Sequence, residues 1–326
     1  MKFAIVGRGI LGSSLYFMLT KAGHEVKVIE SRKRRVFPSL IHSLLLKGKD
    51  VQLAMESLKF YREFNVPMRE FPSLTIGKVS MDVITQWQEV GVQIREEYVG
   101  WISSDAIVAL GGDRLVYVSK LIYAVPYIEG SAEIDLSKGV VSVGGKQVKA
   151  DKIIVTAGPW NPCLVGVKSK SYYCWATLIY SKIRELGSHF VYDYEKGFYS
   201  RPVIGLATGM AIVGDGKAVE SPPGNRVSLD KEEVMAKVRD RVGHFVPLYT
   251  AGEFCEGTPD MKPSYGKIGE NVYYAGGLDG YGAEVGPGLA KLLLDLIMKG
   301  EVEREYYAER FSEVGDFTIG REPHEI

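Results

Sequence analysis

Apolar positions change period several times along the chain, and the first change is the most informative. Lys2–Val6 is a short apolar run, β-branched at its end, and reads as a buried strand. Gly7-Arg-Gly-Ile-Leu-Gly12 follows, then a helical stretch over 13–22 that Gly23-His24 breaks. Residues 25–29 read as a second strand, with an acid, Glu30, at its end. Helical spacing recurs over about 50–64, where Leu53, Met55, Leu58 and Tyr61 fall near one face, and again over 81–90, 113–122, 231–242, 283–299 and 301–311. Short alternating runs predict strands at 124–128, 132–135, 140–143 and 147–148. Gly144-Gly145-Lys146 between the last two reads as a hairpin turn: it lacks the first glycine of a phosphate loop, and Gln147 stands where Ser or Thr belongs. A buried strand from 151 ends in Thr-Ala-Gly-Pro-Trp160. Tyr172, Tyr173, Tyr180, Tyr192, Tyr194 and Tyr199, among alternating apolar positions, predict an antiparallel sheet with an aromatic face over a ligand site. A last strand, 272–275, runs into the glycine cluster Gly276-Gly-Leu-Asp-Gly-Tyr-Gly282.

The opening order of strand, glycine loop, helix, strand and acid is that of a dinucleotide-binding βαβ unit. Gly7 permits the tight turn off the strand, Gly9 lets the backbone approach a pyrophosphate, and Gly12 lets the helix pack on the sheet. Ile10 and Leu11 open that helix, whose free N–H groups and positive dipole end favour phosphate charge. Glu30, eighteen residues after Gly12, is positioned to accept hydrogen bonds from a ribose hydroxyl, and Ser31 and Arg32 adjoin it.

Composition changes this picture little. The 326 residues can bury a large core and divide into two domains, and 46% apolar with 25% charged residues is ordinary for a globular protein. Forty basic side chains balance forty acidic ones, so no global field attracts nucleic acid or an anionic membrane. Arg32-Lys33-Arg34-Arg35 is the only dense basic run and reads as a solvated loop or as a neighbour of cofactor phosphates rather than an RNA contact. Cys163, Cys174 and Cys255 are odd in number and widely spaced, which argues against a disulfide framework and against zinc. With a strand starting at residue 2 and no apolar run of ~20 residues, a signal peptide and a membrane span are not expected; a cytoplasmic, thiol-reduced protein is.

Three separated blocks carry a resemblance. Gly7–Gly12 with Glu30, then Ile154-Val-Thr-Ala-Gly-Pro-Trp160, then Thr258-Pro-Asp260 through Pro263, Gly266, Ile268, Ala275-Gly-Gly277, Gly282 and Pro287 resemble, in order, the D-amino-acid oxidase family of FAD enzymes. Glycine oxidase, sarcosine oxidase and the dye-linked proline dehydrogenases belong to that superfamily. The resemblance implies an α/β fold with an α+β substrate part: a Rossmann-like FAD-binding domain and a second, mixed or antiparallel β-sheet substrate domain. It implies residues 1–78, 113–166 and 256–326 for FAD, and 79–112 and 167–255 for substrate. It also implies that FAD lies extended, with Ala157, Gly158 and Trp160 beside it, and with Gly277, Gly280, Tyr281, Gly282 and Ala283 near the flavin. A helix N-terminus at that point stabilises negative charge on the reduced ring.

The departures are informative too. Ser39-Leu-Ile-His42 stands in for the Ser/Gly-rich stretch of many relatives, which makes Ser39 and His42 candidate flavin neighbours. Leu278 stands where the family often has His. Cys255 occupies the place of an arginine that grips the substrate carboxylate in several amino-acid oxidases. Cys255-Glu-Gly-Thr258 also has the spacing of the cysteine that is covalently bonded to flavin in monomeric sarcosine oxidase, so a buried thiol and a flavin thioether both stay open. Arg201, supported by Tyr199, is the candidate replacement for binding a carboxylate. The expected reaction is hydride transfer from a small amine or amino acid to flavin N5, with the imine then hydrolysed and electrons passed to O2 or another carrier. Oxidation of a 2-hydroxy acid, a non-catalytic electron-transfer subunit, and an RNA-modifying protein resting only on residues 32–35 are the alternatives. Oligomeric state is not legible.

Overall fold

The structure is a computed structural model that describes residues 1–31, 37–205, 208–228 and 231–320. Its first layer is a six-stranded sheet in the order Ser264–Gly269, Val272–Gly276, Lys152–Val155, Lys2–Val6, Glu25–Glu30, Ile128–Glu129. Every neighbouring pair is parallel except the antiparallel edge strand Ser264–Gly269. Side chains alternate across a strand, and here both faces are covered. Phe3 and Ile5 face the helices Ile10–Lys21, Lys49–Glu63 and Gly282–Lys299, while Ala4 and Val6 face the antiparallel meander Ala132–Asp135, Val140–Val143, Lys146–Val148. That double burial explains the unbroken apolar run, each large side chain contributing about 1.5–3 kcal/mol.

The second layer is a ten-stranded mixed sheet. Near one end of it lies Lys170–Ser181, paired over its length with Phe245–Gly257 and on its other edge with Met210–Gly214. Phe198–Pro202, Phe190–Asp193, Met68–Ile76 and Ser104–Val116 extend it to Leu40–Ser43. Leu74, Val108, Ile179, Val191 and Val213 bury one face together with Val234, Met235 and Val238 of the helix Glu232–Val242. This sheet therefore draws strands from residues 40–76 and 113–116, which the sequence groups with the cofactor layer.

Three predicted elements differ. Residues 113–116 finish the strand Ser104–Val116, with Leu115 and Val116 fully buried, and the helix is only Val118–Tyr123. Residues 301–311 form one 3₁₀ turn, Ala308–Phe311: Tyr265 N donates to Tyr306 O and Tyr265 bridges Tyr307, so pairing with the sheet edge overrides the helical spacing. Residues 124–128 shrink to the two-residue strand Ile128–Glu129, because Pro126 has no N–H to give a ladder. The expected aromatic face is not formed either. Tyr172 is core, Tyr180 and Tyr194 are exposed, and of the six tyrosines only Tyr199 lines the cavity described below.

Two close approaches fix the layer of helices. A Cβ on Gly12 would stand 2.0 Å from the Gly7 carbonyl oxygen, and one on Gly288 would stand 2.4 Å from the Leu53 carbonyl oxygen. Pro287 inside the last helix cannot donate to the Ala283 carbonyl, and Tyr61 Oη donates there instead at 2.7 Å. Gly12→Ala is expected to lower stability by at least about 1–3 kcal/mol in denaturant melts, since backbone cannot yield, whereas Gly100→Ala, in open space, stays within about 0.5 kcal/mol.

Candidate cofactor and substrate site

The ends of three parallel strands meet at one place. Gly7, at φ +102°, brings its backbone so close to the second turn that a Cβ would lie 2.3 Å from Thr156 O. Thr156 N donates to Val6 O at 2.8 Å and its hydroxyl lies 3.2 Å from both Val6 O and Gly7 O, joining the first turn to the second. Gly9 precedes the helix Ile10–Lys21, whose first turn holds no acid and no side-chain cap, so its N–H groups are free to meet an anion. Arg8 N and Ser31 N donate to the two carboxylate oxygens of Glu30, each at 3.0 Å, which fixes that acid beside the glycine loop. The Arg8 side chain turns away, stacking 3.9 Å from the Tyr127 ring centroid and donating to Val125 O.

Glu256, buried at 4% exposure, ties the second turn to the third. Its carboxylate accepts from Asn161 Nδ2 at 2.7 Å, Ser169 Oγ at 2.7 Å and Tyr274 Oη at 3.0 Å, and from the Gly277 N–H. Asn161 Oδ1 in turn accepts from Ala157 N at 2.8 Å. Gly276 packs against this carboxylate so tightly that a Cβ would lie 2.2 Å from Glu256 Oε2. Burial lifts the Glu256 carboxyl to about 7, with the four donors holding it from rising further. Asp279 sits beside it at φ +46°: Oδ1 accepts from Thr258 N, and Oδ2 has no hydrogen-bond partner among the described residues. Burial, reinforced by the Glu256 charge, raises Asp279 well above the usual carboxylate range. Sequence reading missed both acids because nothing local distinguishes a buried strand-end carboxylate from a solvated one.

Three cavities run through these turns. One of about 200 Å³ is lined by Gly7, Gly9, Glu30, Ser31, Ala157 and Trp160. A second, about 180 Å³, shares Arg8, Gly9 and Thr156 with it and adds Ile10, Leu11, Gly158, Asp279, Gly280 and Gly282. A third, about 370 Å³, shares Phe37, Leu40, Glu253, Phe254, Cys255 and Gly280 with the second and reaches Tyr199, Arg201, Tyr281, Ala283 and Glu284. A long, bent space thus runs from Glu30 to Arg201. The glycine approaches, the uncapped helix and the length of this space fit an extended dinucleotide.

Arg201 lines the third cavity yet its guanidinium makes no hydrogen bond or ion pair with any described residue. Burial pushes its pKa down, with Tyr199 and Tyr192 pushing back. A desolvated, unpaired cation facing a cavity is a ready anion site.

Other expected residues lie elsewhere. His42 is fully buried, donates from Nε2 to Ala54 O at 2.8 Å, and accepts from Arg114 at Nδ1, 3.1 Å away. Burial and the Arg114 charge push it down to about 3, so it stays neutral, and it lines none of the three cavities. Ser39 and Gly277 line none of them either, Phe37 and Leu40 taking the first position. Gly277, at φ +61°, packs on Thr258 and donates to Glu256 instead. Arg32 and the rest of the basic run lie outside the described residues. Asp260 of the closing block accepts from Arg310 at 2.9 Å and makes a structural turn.

A family model described as FAD dependent oxidoreductase (DAO) matches residues 125–296. A search of curated proteins finds no match. Among solved structures, L-proline dehydrogenase from P. horikoshii superposes with TM-score 0.75 at 18% identity, covering 95% of this chain and 97% of that one. Glycine oxidase from Geobacillus kaustophilus gives 0.74 at 17%, covering 96% and 99%. L-amino acid deaminase from Proteus vulgaris gives 0.73 at 14%, covering 95% and 97%. No helix among the described residues is long and apolar enough to cross a membrane.

The Glu256 carboxyl titrates higher in the folded chain than in the unfolded one, so between about 4.5 and 7 the folded state alone keeps the proton. Its contribution to stability is present below that window and falls as pH rises through it, by roughly 3 kcal/mol in all. Glu256→Gln, compared with wild type in melts from pH 4.5 to 8, is expected to gain relative stability as pH rises. A constant difference would contradict this.

Proposed function

Since the chain belongs to the DAO family of FAD-dependent oxidoreductases, we propose that it oxidises the C–N bond of a small amine bearing a carboxylate. The observation that carries this reading is Arg201, a buried guanidinium without a hydrogen-bond or ion-pair partner among the described residues, in a cavity continuous with the glycine turns. Arg201 binds the carboxylate, with Tyr199 lining the same wall. Glu253 and Glu284 line that cavity too, which suits the amine end of the substrate. Glu30 holds a ribose hydroxyl of the cofactor, and the N–H groups from Gly9 onward meet its phosphates. Residues around Gly280–Ala283 cradle the flavin where the second and third cavities join. The flavin, when bound, supplies the hydride acceptor. The chain's own work is orientation and exclusion of water by the apolar walls Phe37, Leu40 and Phe254, which amine oxidation needs more than a strong base.

The structural neighbours, a proline dehydrogenase, a glycine oxidase and an amino acid deaminase, agree with such a substrate. The 2-hydroxy-acid alternative asked for a histidine base, and His42, held neutral and turned to Ala54 and Arg114, does not favour it. We assign residues 1–78, 113–166 and 256–326 mainly to the cofactor and 79–112 and 167–255 to the substrate, with the second sheet borrowing strands across those limits.

Anaerobic titration with glycine, sarcosine, L-proline, D-amino acids and 2-hydroxy acids is expected to bleach the flavin absorbance with one or more amino acids and not with their decarboxylated amines. Bleaching by hydroxy acids alone would overturn the amine reading, and bleaching by none would favour an electron-transfer subunit. Arg201→Ala is expected to raise KM about 10- to 100-fold with a smaller effect on kcat, the range of one charge-assisted pair.

A further inference from the structure

Cys174 and Cys255 stand on the two longest-paired strands of the second sheet. Cys255 pairs in register with Tyr172, and Cys174 with Glu253, so the two cysteines are diagonal neighbours on one face. Their Sγ atoms are 3.5 Å apart, and Cys174 also approaches Glu253 O at 3.8 Å. Neither belongs to a disulfide. Both line the cavity that holds Arg201, and Cys255 also lines the adjoining cavity beneath the glycine cluster. Two thiols in contact, reachable from a cavity, differ from a buried structural cysteine in what an oxidant does to them. A sulfenic acid formed on either meets the other thiol at once and condenses instead of oxidising further.

We propose that Cys174 and Cys255 are a redox-active dithiol at the junction of the cofactor and substrate cavities, closed to an intramolecular disulfide by peroxide. One thiolate attacks a peroxide oxygen, the O–O bond breaks, and water leaves with the sulfur now a sulfenic acid. The second thiolate attacks that sulfur, the S–O bond breaks, and a second water leaves. Two thiols and one peroxide give one disulfide and two waters, and the sulfurs surrender the two electrons that reduce the peroxide. The sulfurs must close from contact to the ~2.05 Å of a covalent S–S bond, which draws the two strands together where Cys255 faces both cavities. Cys163, exposed on the short helix Asn161–Val165, makes no sulfur contact among the described residues and serves as an internal control.

The test uses reduced, flavin-loaded protein exposed to a small excess of hydrogen peroxide, then denatured in an alkylating agent. Expected are loss of two of the three alkylatable thiols, an intact mass lower by two hydrogens before alkylation, and a cross-linked peptide pair containing Cys174 and Cys255 that dithiothreitol separates. In Cys174→Ser the cross-link disappears and Cys255 gains oxygen instead. The proposal is overturned if Cys174 and Cys255 stay alkylatable while Cys163 oxidises, if wild-type Cys255 gains oxygen without a cross-link, or if the denatured chain carries covalent flavin on Cys255.

Discussion

The buried carboxylate of Glu256 is the constraint on which the site depends. It stands near the end of the strand Phe245–Gly257, and it binds the helix after the second glycine turn, the strand before the third, and the Gly277 N–H. A charge at 4% exposure is costly to bury, which is why this carboxyl is lifted to about 7, and its donors offset part of that cost. The arrangement leaves no room for a side chain at Gly276. The first turn is held to the second by Thr156, so one continuous network fixes all three turns relative to the second sheet. The closeness of the groove along the glycine turns to the cavity that holds Arg201 follows from that network.

Much of the cofactor layer was legible in the order of residues. Gly7 and Gly12 do what the spacing implies: each meets a carbonyl oxygen at a distance that no Cβ could share. Gly144 and Gly145, both at positive φ, make the hairpin turn rather than a phosphate loop. These features are local, so chain order specifies them. The failures were tertiary. Residues 113–116 have helical spacing but complete a long strand because Asp113 accepts from Tyr192 across the sheet. Residues 301–311 give up a helix for pairing with Tyr265. His42, two residues from the cavity-lining Leu40, was drawn inward by the Ala54 carbonyl and Arg114, partners distant in sequence. The tyrosines were scattered between core and surface by strand breaks that their spacing does not reveal.

The second sheet supplies what the glycine turns cannot. Arg201 is fixed in a strand, desolvated, and without a carboxylate partner among the described residues. Leaving such a cation unpaired costs stability that a neutral residue would not, which is the usual sign of a group retained for a ligand. Cys255 lines both the cavity that holds Arg201 and the adjoining cavity beneath the glycine turns.

The central claim is that flavin and carboxylate share one space. It is tested most directly by titrating the flavin-loaded protein with acetate and, separately, with acetamide, and following the flavin difference spectrum. The account predicts a saturable perturbation by acetate, little or none by acetamide, and a roughly tenfold or greater loss of acetate affinity in Arg201→Ala. Equal responses to the two ligands, an unchanged acetate affinity in that variant, or a protein that takes up no flavin would contradict it.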